Sequence, residues 1–270
     1  MLKPEQPIGI FDSGLGGLTV AAAIKHMLPN EQLIYFGDTA HLPYGDKSPE
    51  TIVTYTKRIT DFLIDKDVKL LLIACNTASA VAYHQLKEYV GEKVYLLNVI
   101  DPVVNYINQN YSSTKIGVIG TKGTINSEMY EKKILEKNRN NIVASLATPL
   151  FVPMIEEGFV YDDISNAIIR SYLSNDVLKN IQSLILGCTH YPIIKNQIRK
   201  FFDFKVDVVD SANIIGHSLK MILEEKQLLN TTKSPRYIFY VSDYTQYFEA
   251  IGRMFFEEKI NLSKVNIWKE

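Results

Sequence analysis

The 270-residue sequence predicts an α/β fold with two pseudo-symmetric α/β domains, mostly parallel sheets and an active site in the interdomain cleft. Short β-branched runs alternate with longer amphipathic stretches, as in parallel sheets covered by helices. PIGIFDSG at 7–14 resembles KIGVIGT at 115–121, 108 positions later (115 − 7). The only two cysteines each end an apolar run and lie 113 positions apart (188 − 75). The similar offsets predict two related halves, each contributing one cysteine.

Gly, Asn, Asp or Pro bounds each predicted strand. The strands are predicted at 8–11, 33–37, 69–74, 94–97, 116–120, 142–147, 184–187, 206–209 and 237–241. A helix is predicted over 48–65, with Ser48 as N-cap and Pro49 in its first turn. A second helix is predicted over 211–228, with Ser211 as its N-cap. Parallel strands separated by such helices place their carboxyl ends at one edge of each sheet.

Composition excludes several classes of protein. A net charge of −1 gives no field that would attract nucleic acid or an anionic membrane. The apolar runs are far shorter than the roughly 20 residues that span a bilayer. The first residues, MLKPEQPIGI, lack the apolar core of a signal peptide. We therefore expect a cytoplasmic protein with reduced cysteines.

Both cysteines precede hydrogen-bonding residues, in ACNTASA at 74–80 and GCTHYPI at 187–193. A lone cysteine after a strand is most often a small buried hydrophobe. Here each turn is predicted to place its thiol at a helix N-terminus, which lowers a thiol pKa. Zinc would need further ligands near Cys75, and a redox pair is more often Cys-x-x-Cys. One remaining chemistry is inversion of a carbon stereocentre, with an acid on one face and a base on the other.

Two polar turns suit a small zwitterionic substrate. FDSGLGG at 11–17 carries Asp12, which we expect either to hold an ammonium group or to accept a proton from a thiol. The turn Pro43-Tyr44-Gly45 is expected to offer backbone N–H groups and a phenol to a carboxylate; the alternative is a surface loop. A dinucleotide site is disfavoured, because Thr19 replaces the third glycine and Asp12 would repel a pyrophosphate. A P-loop is excluded, because Gly-Lys-Ser/Thr is missing.

These motifs together resemble the glutamate racemases, a cofactor-independent family of the aspartate/glutamate racemase superfamily. The resemblance covers nearly the whole chain, including IGIFDSGLGGLTV at 8–20, FGDTAHLPYGDKS at 36–48 and LILGCTHYPII at 184–194. It implies a first domain of residues 1–97 plus 211–270 and a second domain of residues 98–210. It also implies interconversion of L- and D-glutamate for bacterial peptidoglycan, without metal or cofactor, by a protein that is commonly a homodimer.

The resemblance assigns roles to particular residues. Cys75 is expected to act on D-glutamate and Cys188 on L-glutamate. Asp12 is expected to assist Cys75; Glu156 and His190 are expected to assist Cys188. The adjacent Glu157 is the alternative to Glu156. Substrate contacts carry over to Asp12, Ser13, Pro43, Tyr44, Gly45, Asn76, Thr77, Thr121, Thr189 and His190. Thr148 stands where many relatives have a further cysteine, at a position that is not catalytic.

Three alternatives stay open. A sister racemase acting on aspartate or another acid would use the same two-thiol chemistry. A pyridoxal-dependent racemase would need a Schiff-base lysine, for which Lys122 is the nearest candidate. A binding module would bind its ligand without exchanging the α-proton.

Overall fold

The computed structural model describes residues 2–14, 16–233, 235–244, 256, 260 and 262–268. Its strands are β1 (Ile8–Asp12), β2 (Leu33–Gly37), β3 (Leu70–Ile73), β4 (Tyr95–Asn98), β5 (Lys115–Gly120), β6 (Ile142–Ala147), β7 (Ser183–Gly187), β8 (Asp207–Val209), β9 (Tyr237–Val241) and β10 (Leu262–Lys264). All nine predicted strands are confirmed, with no end shifted by more than one residue. The tenth, β10, was not predicted from the sequence.

The helices are amphipathic and cover the sheets. They are α1 (Gly17–Met27), α2 (Pro49–Ile64), α3 (Asn76–Val90), α4 (Ile100–Asn110), α5 (Lys122–Asn126), α6 (Met129–Lys137), α7 (Phe151–Glu156), α8 (Asp163–Leu173), α9 (Lys195–Phe201) and α10 (Ser211–Glu225). Ser48 caps α2 as predicted, accepting a hydrogen bond from the Thr51 N–H. The prediction of Ser211 as a cap is wrong, because Asp210 caps α10 through the Ala212 N–H. In the described ranges, no helix is long and apolar enough to cross a bilayer.

Two parallel sheets repeat one topology. The first sheet has the order β10-β9-β2-β1-β3-β4 and the second β6-β5-β7-β8. Every pairing in both sheets is parallel. The order β2-β1-β3-β4 thus recurs as β6-β5-β7-β8, which confirms the internal repeat. We call the first sheet with its helices the first lobe, and the second sheet with its helices the second lobe. The predicted domain boundaries stay a prediction.

Both faces of each sheet are buried, so its strands are almost continuously apolar. Along β3, Leu70 and Leu72 pack in one cluster with side chains of α1 and α10. Leu71 and Ile73 pack on the opposite face with α2 and α3. This alternation follows from the two-residue period of a strand. In the second lobe α4 and α6 cover one face, and α7, α8 and α9 the other. The helices thus cover the faces of the sheets, and the polar turns lie at the ends of the strands.

Candidate active site

The carboxyl ends of four strands, two from each sheet, meet at one place. Ser13 and Cys75 follow β1 and β3; Thr121 and Cys188 follow β5 and β7. In an open α/β sheet, two neighbouring strands can be followed by helices on opposite faces of the sheet. A crevice then forms at the carboxyl ends of these two strands, and ligands bind there. The two crevices face each other here, so each lobe supplies one cysteine to a shared site.

The facing crevices enclose a cavity of about 20 Å³, which is room for roughly one water molecule. Of the predicted site residues, its lining includes Ser13, Pro43, Tyr44, Gly45, Cys75, Asn76, Thr77, Thr121, Cys188, Thr189 and His190. Leu42 and Val152 also line it, and no sequence signal marked them. Grooves of about 520 and 700 Å³ lie elsewhere and contain neither cysteine. The closed cavity has to open before an amino acid can enter.

Cys75 is held as a neutral thiol. It caps α3, its Sγ accepting from the Ala78 N–H at 3.4 Å and its thiol donating to Ser13 Oγ at 3.7 Å. Burial raises the pKa of Cys75 to about 12; the charge of Asp12 adds to this, and the Ala78 bond opposes it. The predicted helix N-terminus is present and lowers the pKa through the Ala78 N–H, but the predicted net lowering is wrong. Desolvation of the thiolate outweighs the helix.

Cys188 has a different local structure. Residues Tyr191–Ile194 form a single 3₁₀ turn and α9 starts only at Lys195, so the prediction of a helix N-terminus at this thiol is wrong. The sulfur instead lies 3.7 Å from Nδ1 of His190. Nε2 of His190 lies 2.6 Å from Oε1 of Glu156. Sulfur, imidazole and carboxylate thus form a chain in the second lobe.

That chain favours a positively charged imidazole. Burial lowers the pKa of His190, but the hydrogen bonds to Cys188 and Glu156 more than offset this, and the net pKa is well above its ordinary value. An imidazolium beside a sulfur stabilises the thiolate. Of the two glutamates considered from the sequence, Glu156 contacts His190, whereas Glu157 is exposed.

Asp12 connects the two lobes. Its Oδ2 accepts from the Gly14 and Gly17 N–H groups at 3.0 and 3.1 Å. Its Oδ1 accepts from the Thr189 hydroxyl of the second lobe at 3.1 Å. Burial raises the pKa of this carboxyl, opposed by the charge of His190 and by these hydrogen bonds. Two N–H groups of the glycine-rich turn thus donate to the protein's own carboxylate. They are not available to bind a pyrophosphate, which argues against a dinucleotide site.

Further contacts across the cleft seal the cavity. The hydroxyls of Thr77 and Thr121 lie 2.8 Å apart, and Thr124 approaches both at 3.1–3.2 Å. A Cβ added to Gly45 would lie 2.6 Å from Thr121 Cβ. Only a residue without a side chain permits that approach. Gly45 is therefore required wherever the lobes are closed.

The Pro43-Tyr44-Gly45 turn is anchored by Asp38. The phenol of Tyr44 is buried and donates to Asp38 Oδ2 at 2.7 Å. Ser242 donates to the other oxygen at 2.7 Å. The prediction that this phenol faces a substrate carboxylate is wrong, because its one proton is donated to Asp38. Sequence reasoning missed this anchoring role of Asp38.

The side-chain amide of Asn76 has a hydrogen-bond partner for its oxygen but none, in the described part of the chain, for its nitrogen. Its Oδ1 accepts from the Tyr130 hydroxyl of the second lobe at 2.7 Å. Its Nδ2 is buried and has no hydrogen-bond partner within the described part of the chain. The residue lines the cavity beside Cys75. An unsatisfied buried donor at a cavity wall is a place for a ligand acceptor.

Comparison with known proteins places this site in context. A family model described as Asp/Glu/Hydantoin racemase matches residues 18–216. A glutamate racemase of Geobacter metallireducens is 42% identical over 258 residues, covering 95% of each chain. A crystal structure of glutamate racemase from Francisella tularensis in complex with D-glutamate has a TM-score of 0.91 and 44% identity, covering 98% of this chain and 99% of that one. A glutamate racemase isoform from Bacillus anthracis has a TM-score of 0.91 and 33% identity, covering 97% and 98%.

Proposed function

Because this chain belongs to the Asp/Glu/hydantoin racemase family, we propose that it interconverts L- and D-glutamate by proton transfer between two thiols. The observation that carries the proposal is the shared cavity of Cys75 and Cys188. The two sulfurs come from equivalent strand ends of the two lobes and therefore approach a bound carbon from opposite sides. The glutamate racemases named above, one of them with D-glutamate, support this substrate.

The unequal surroundings of the thiols set the resting protonation state. Cys75 is a neutral thiol, and Cys188 lies beside a protonated His190. In the proposed reaction Cys75 therefore serves as the acid in the first lobe, and Cys188, beside the imidazolium, serves as the base in the second lobe for L-glutamate. Glu156 neutralises the imidazolium and holds its ring in place.

The reaction from L-glutamate then follows in two transfers. The Cys188 thiolate removes the Cα proton and becomes a thiol, and the electron pair left on Cα delocalises into the α-carboxylate. The Cys75 thiol protonates the opposite face and becomes a thiolate. D-glutamate leaves an enzyme whose thiol and thiolate have exchanged places. The reverse reaction starts from that form.

Polar groups around the cavity are proposed to bind the substrate. Its carboxylates need donors, which the Ser13, Thr77 and Thr121 hydroxyls and the Asn76 amide supply. Asp12 and Thr189 lie where the lobes meet and are proposed to orient the ammonium group. His190 and the backbone of Pro43, Tyr44 and Gly45 complete the wall. We further propose that the lobes, divided near residues 98 and 210, part to admit substrate.

The cellular setting is part of the proposal. D-glutamate made by this reaction would supply peptidoglycan synthesis in the cytoplasm, by an enzyme that acts as a homodimer without a cofactor. For the pyridoxal alternative, Lys122 is poorly placed, because its Nζ is ion-paired with Asp46 at 3.3 Å and more than half exposed. The aspartate and binding-module alternatives are separated from glutamate racemisation by direct assay.

The test is incubation of L-glutamate with the pure protein in D₂O. Deuterium should enter at Cα while the optical rotation decays to zero, because enantiomers have equal free energy. Parallel reactions with L-aspartate test the sister activity. Cys75→Ser and Cys188→Ser should each abolish turnover. Binding without exchange, or full activity in either variant, would contradict the two-thiol mechanism.

A further inference from the structure

Tyr130 of α6 reaches across the cleft to the cavity wall. It belongs to the second lobe, is 2% exposed, and donates to Oδ1 of Asn76 in the first lobe. Its ring lies against the strand that leads to Cys188, since a Cβ added to Gly187 would be 3.5 Å from the Tyr130 ring. One buried tyrosine therefore contacts the neighbours of both cysteines, Asn76 through its hydroxyl and Gly187 through its ring.

The direction of this hydrogen bond decides which end of the amide faces the cavity. An asparagine amide has two orientations that differ by exchange of oxygen and nitrogen. With the hydroxyl donating to Oδ1, the NH₂ group is left without a partner among the described residues, on a residue that lines the cavity. In the flipped orientation, the Tyr130 proton would lose its acceptor and a carbonyl oxygen would face the substrate. A buried donor without an acceptor is unfavourable, as is an oxygen opposite a carboxylate.

The protonation state of Tyr130 keeps the hydrogen bond in that direction. Burial raises the pKa of this phenol, and the charges of Cys188 and Asp101 raise it further. The hydroxyl therefore retains its proton even when the nearby sulfur is a thiolate. Asn76 Nδ2 meanwhile keeps two hydrogens and no protein acceptor within the described ranges.

We propose that Tyr130 is a positioning residue, which holds the Asn76 amide with its NH₂ group toward a carboxylate of the substrate. Because the two residues belong to different lobes, the amide is fixed only when the lobes are closed. The inference rests on the proposed function for the identity of the ligand. Tyr130 is thus proposed to orient Asn76, which contacts the substrate, without contacting the substrate itself.

The experiment removes the hydroxyl with Tyr130→Phe. A hydrogen bond to a carboxylate is formed in the ground state as well as in the transition state, so its loss raises KM more than it lowers kcat. We expect KM to rise about tenfold or more for both enantiomers, as for a lost hydrogen bond to a charged group. The Kd of D-glutamate, measured by calorimetry, should rise in parallel. Tyr111→Phe is the control, because the Tyr111 hydroxyl binds Asp207 within the second lobe; its KM should be unchanged.

A double-mutant cycle separates positioning from general stability. In an Asn76→Ala background, Tyr130→Phe should change Kd by less than about twofold, because the amide it orders is gone. Asn76→Ser provides the second background if the alanine variant does not fold. Equal losses in both backgrounds, or a wild-type Kd in Tyr130→Phe, would overturn the inference. A wild-type protein that binds D-glutamate without racemising it would refute the proposed function, while the Kd cycle would still decide the role of Tyr130.

Discussion

Gly123→Ala tests whether the closed arrangement of the lobes is the active one. Gly123 lies on α5 in the second lobe, and a Cβ there would be 2.8 Å from Cγ2 of Thr77 in the first lobe. Optimal carbon–carbon contacts are about 3.5–4.0 Å, so the lobes would have to separate locally by about 1 Å. Such overpacking costs about 1–3 kcal/mol. If it acts only on the closed form, kcat/KM should fall by roughly 5- to 150-fold.

The same geometry supplies a rescue. Thr77→Ser removes Cγ2 and keeps the hydroxyl, and the next atoms, both of Gly45, lie 3.5 and 3.7 Å from the added Cβ. Racemisation followed by polarimetry should therefore show higher kcat/KM in the double variant than in Gly123→Ala alone. Alanine is also the better helix former by up to about 1 kcal/mol, so a weakened helix does not explain the loss.

Gly91→Ala is the control for stability. Gly91 has a φ of 55° and no atom within 4 Å of an added Cβ, so the substitution strains the backbone without touching the cleft. It should lower the melting temperature and leave kcat/KM unchanged. Full activity of Gly123→Ala, or no gain from Thr77→Ser, would refute the view that these two residues report closure.

Three further predictions concern ionisable side chains. Lys69 donates to Glu31 at 2.6 Å, with both side chains buried. Because Lys69→Met leaves the Glu31 charge buried and unpaired, it should lower the free energy of unfolding, measured in urea, by about 3–5 kcal/mol. Adding Glu31→Gln removes that charge and should restore part of the loss. Burial raises the pKa of the Cys75 thiol to about 12 in the folded protein, from an ordinary value of 9.0. The unfolded chain therefore loses this proton first. The free energy of unfolding should fall from pH 9 toward pH 12, by up to about 1.4 kcal/mol per pH unit more steeply than in Cys75→Ser. Glu156→Gln removes a charge that raises the pKa of His190, so the alkaline limb of the pH–rate profile should move to lower pH, whereas the exposed Glu157→Gln should leave it unchanged.

The fold was predictable because its signals are local. The strands of these parallel sheets are short, largely apolar runs, and nine of them stand out in the sequence. The repeat of PIGIFDSG in KIGVIGT predicted two related halves, and the strand order that the two sheets share confirms them. The missed strand β10 is three residues long and pairs only with β9, so neither length nor periodicity marks it.

The parts that failed depend on contacts distant in sequence. Asp210 and Ser211 are both good caps, and only the start of α10 selects between them. The pKa of Cys75 depends on burial under both lobes, which overrides the helix that its sequence position predicts. The contact between Tyr130 and Asn76 joins residues 54 positions apart. The sequence pattern around a tyrosine on an amphipathic helix does not predict such a contact.

The repeated fold and the unequal thiols have different consequences for the proposed reaction. Both directions cross the same two proton-transfer barriers, and free enzyme with L-glutamate has the same free energy as free enzyme with D-glutamate. Since kcat/KM measures the transition state relative to free enzyme and substrate, it must be equal for the two enantiomers. The acid at Cys75 and the imidazolium beside Cys188 therefore cannot favour one enantiomer in kcat/KM. They can only change kcat and KM together, so any variant of His190 or Asp12 has to lower both directions by the same factor in kcat/KM.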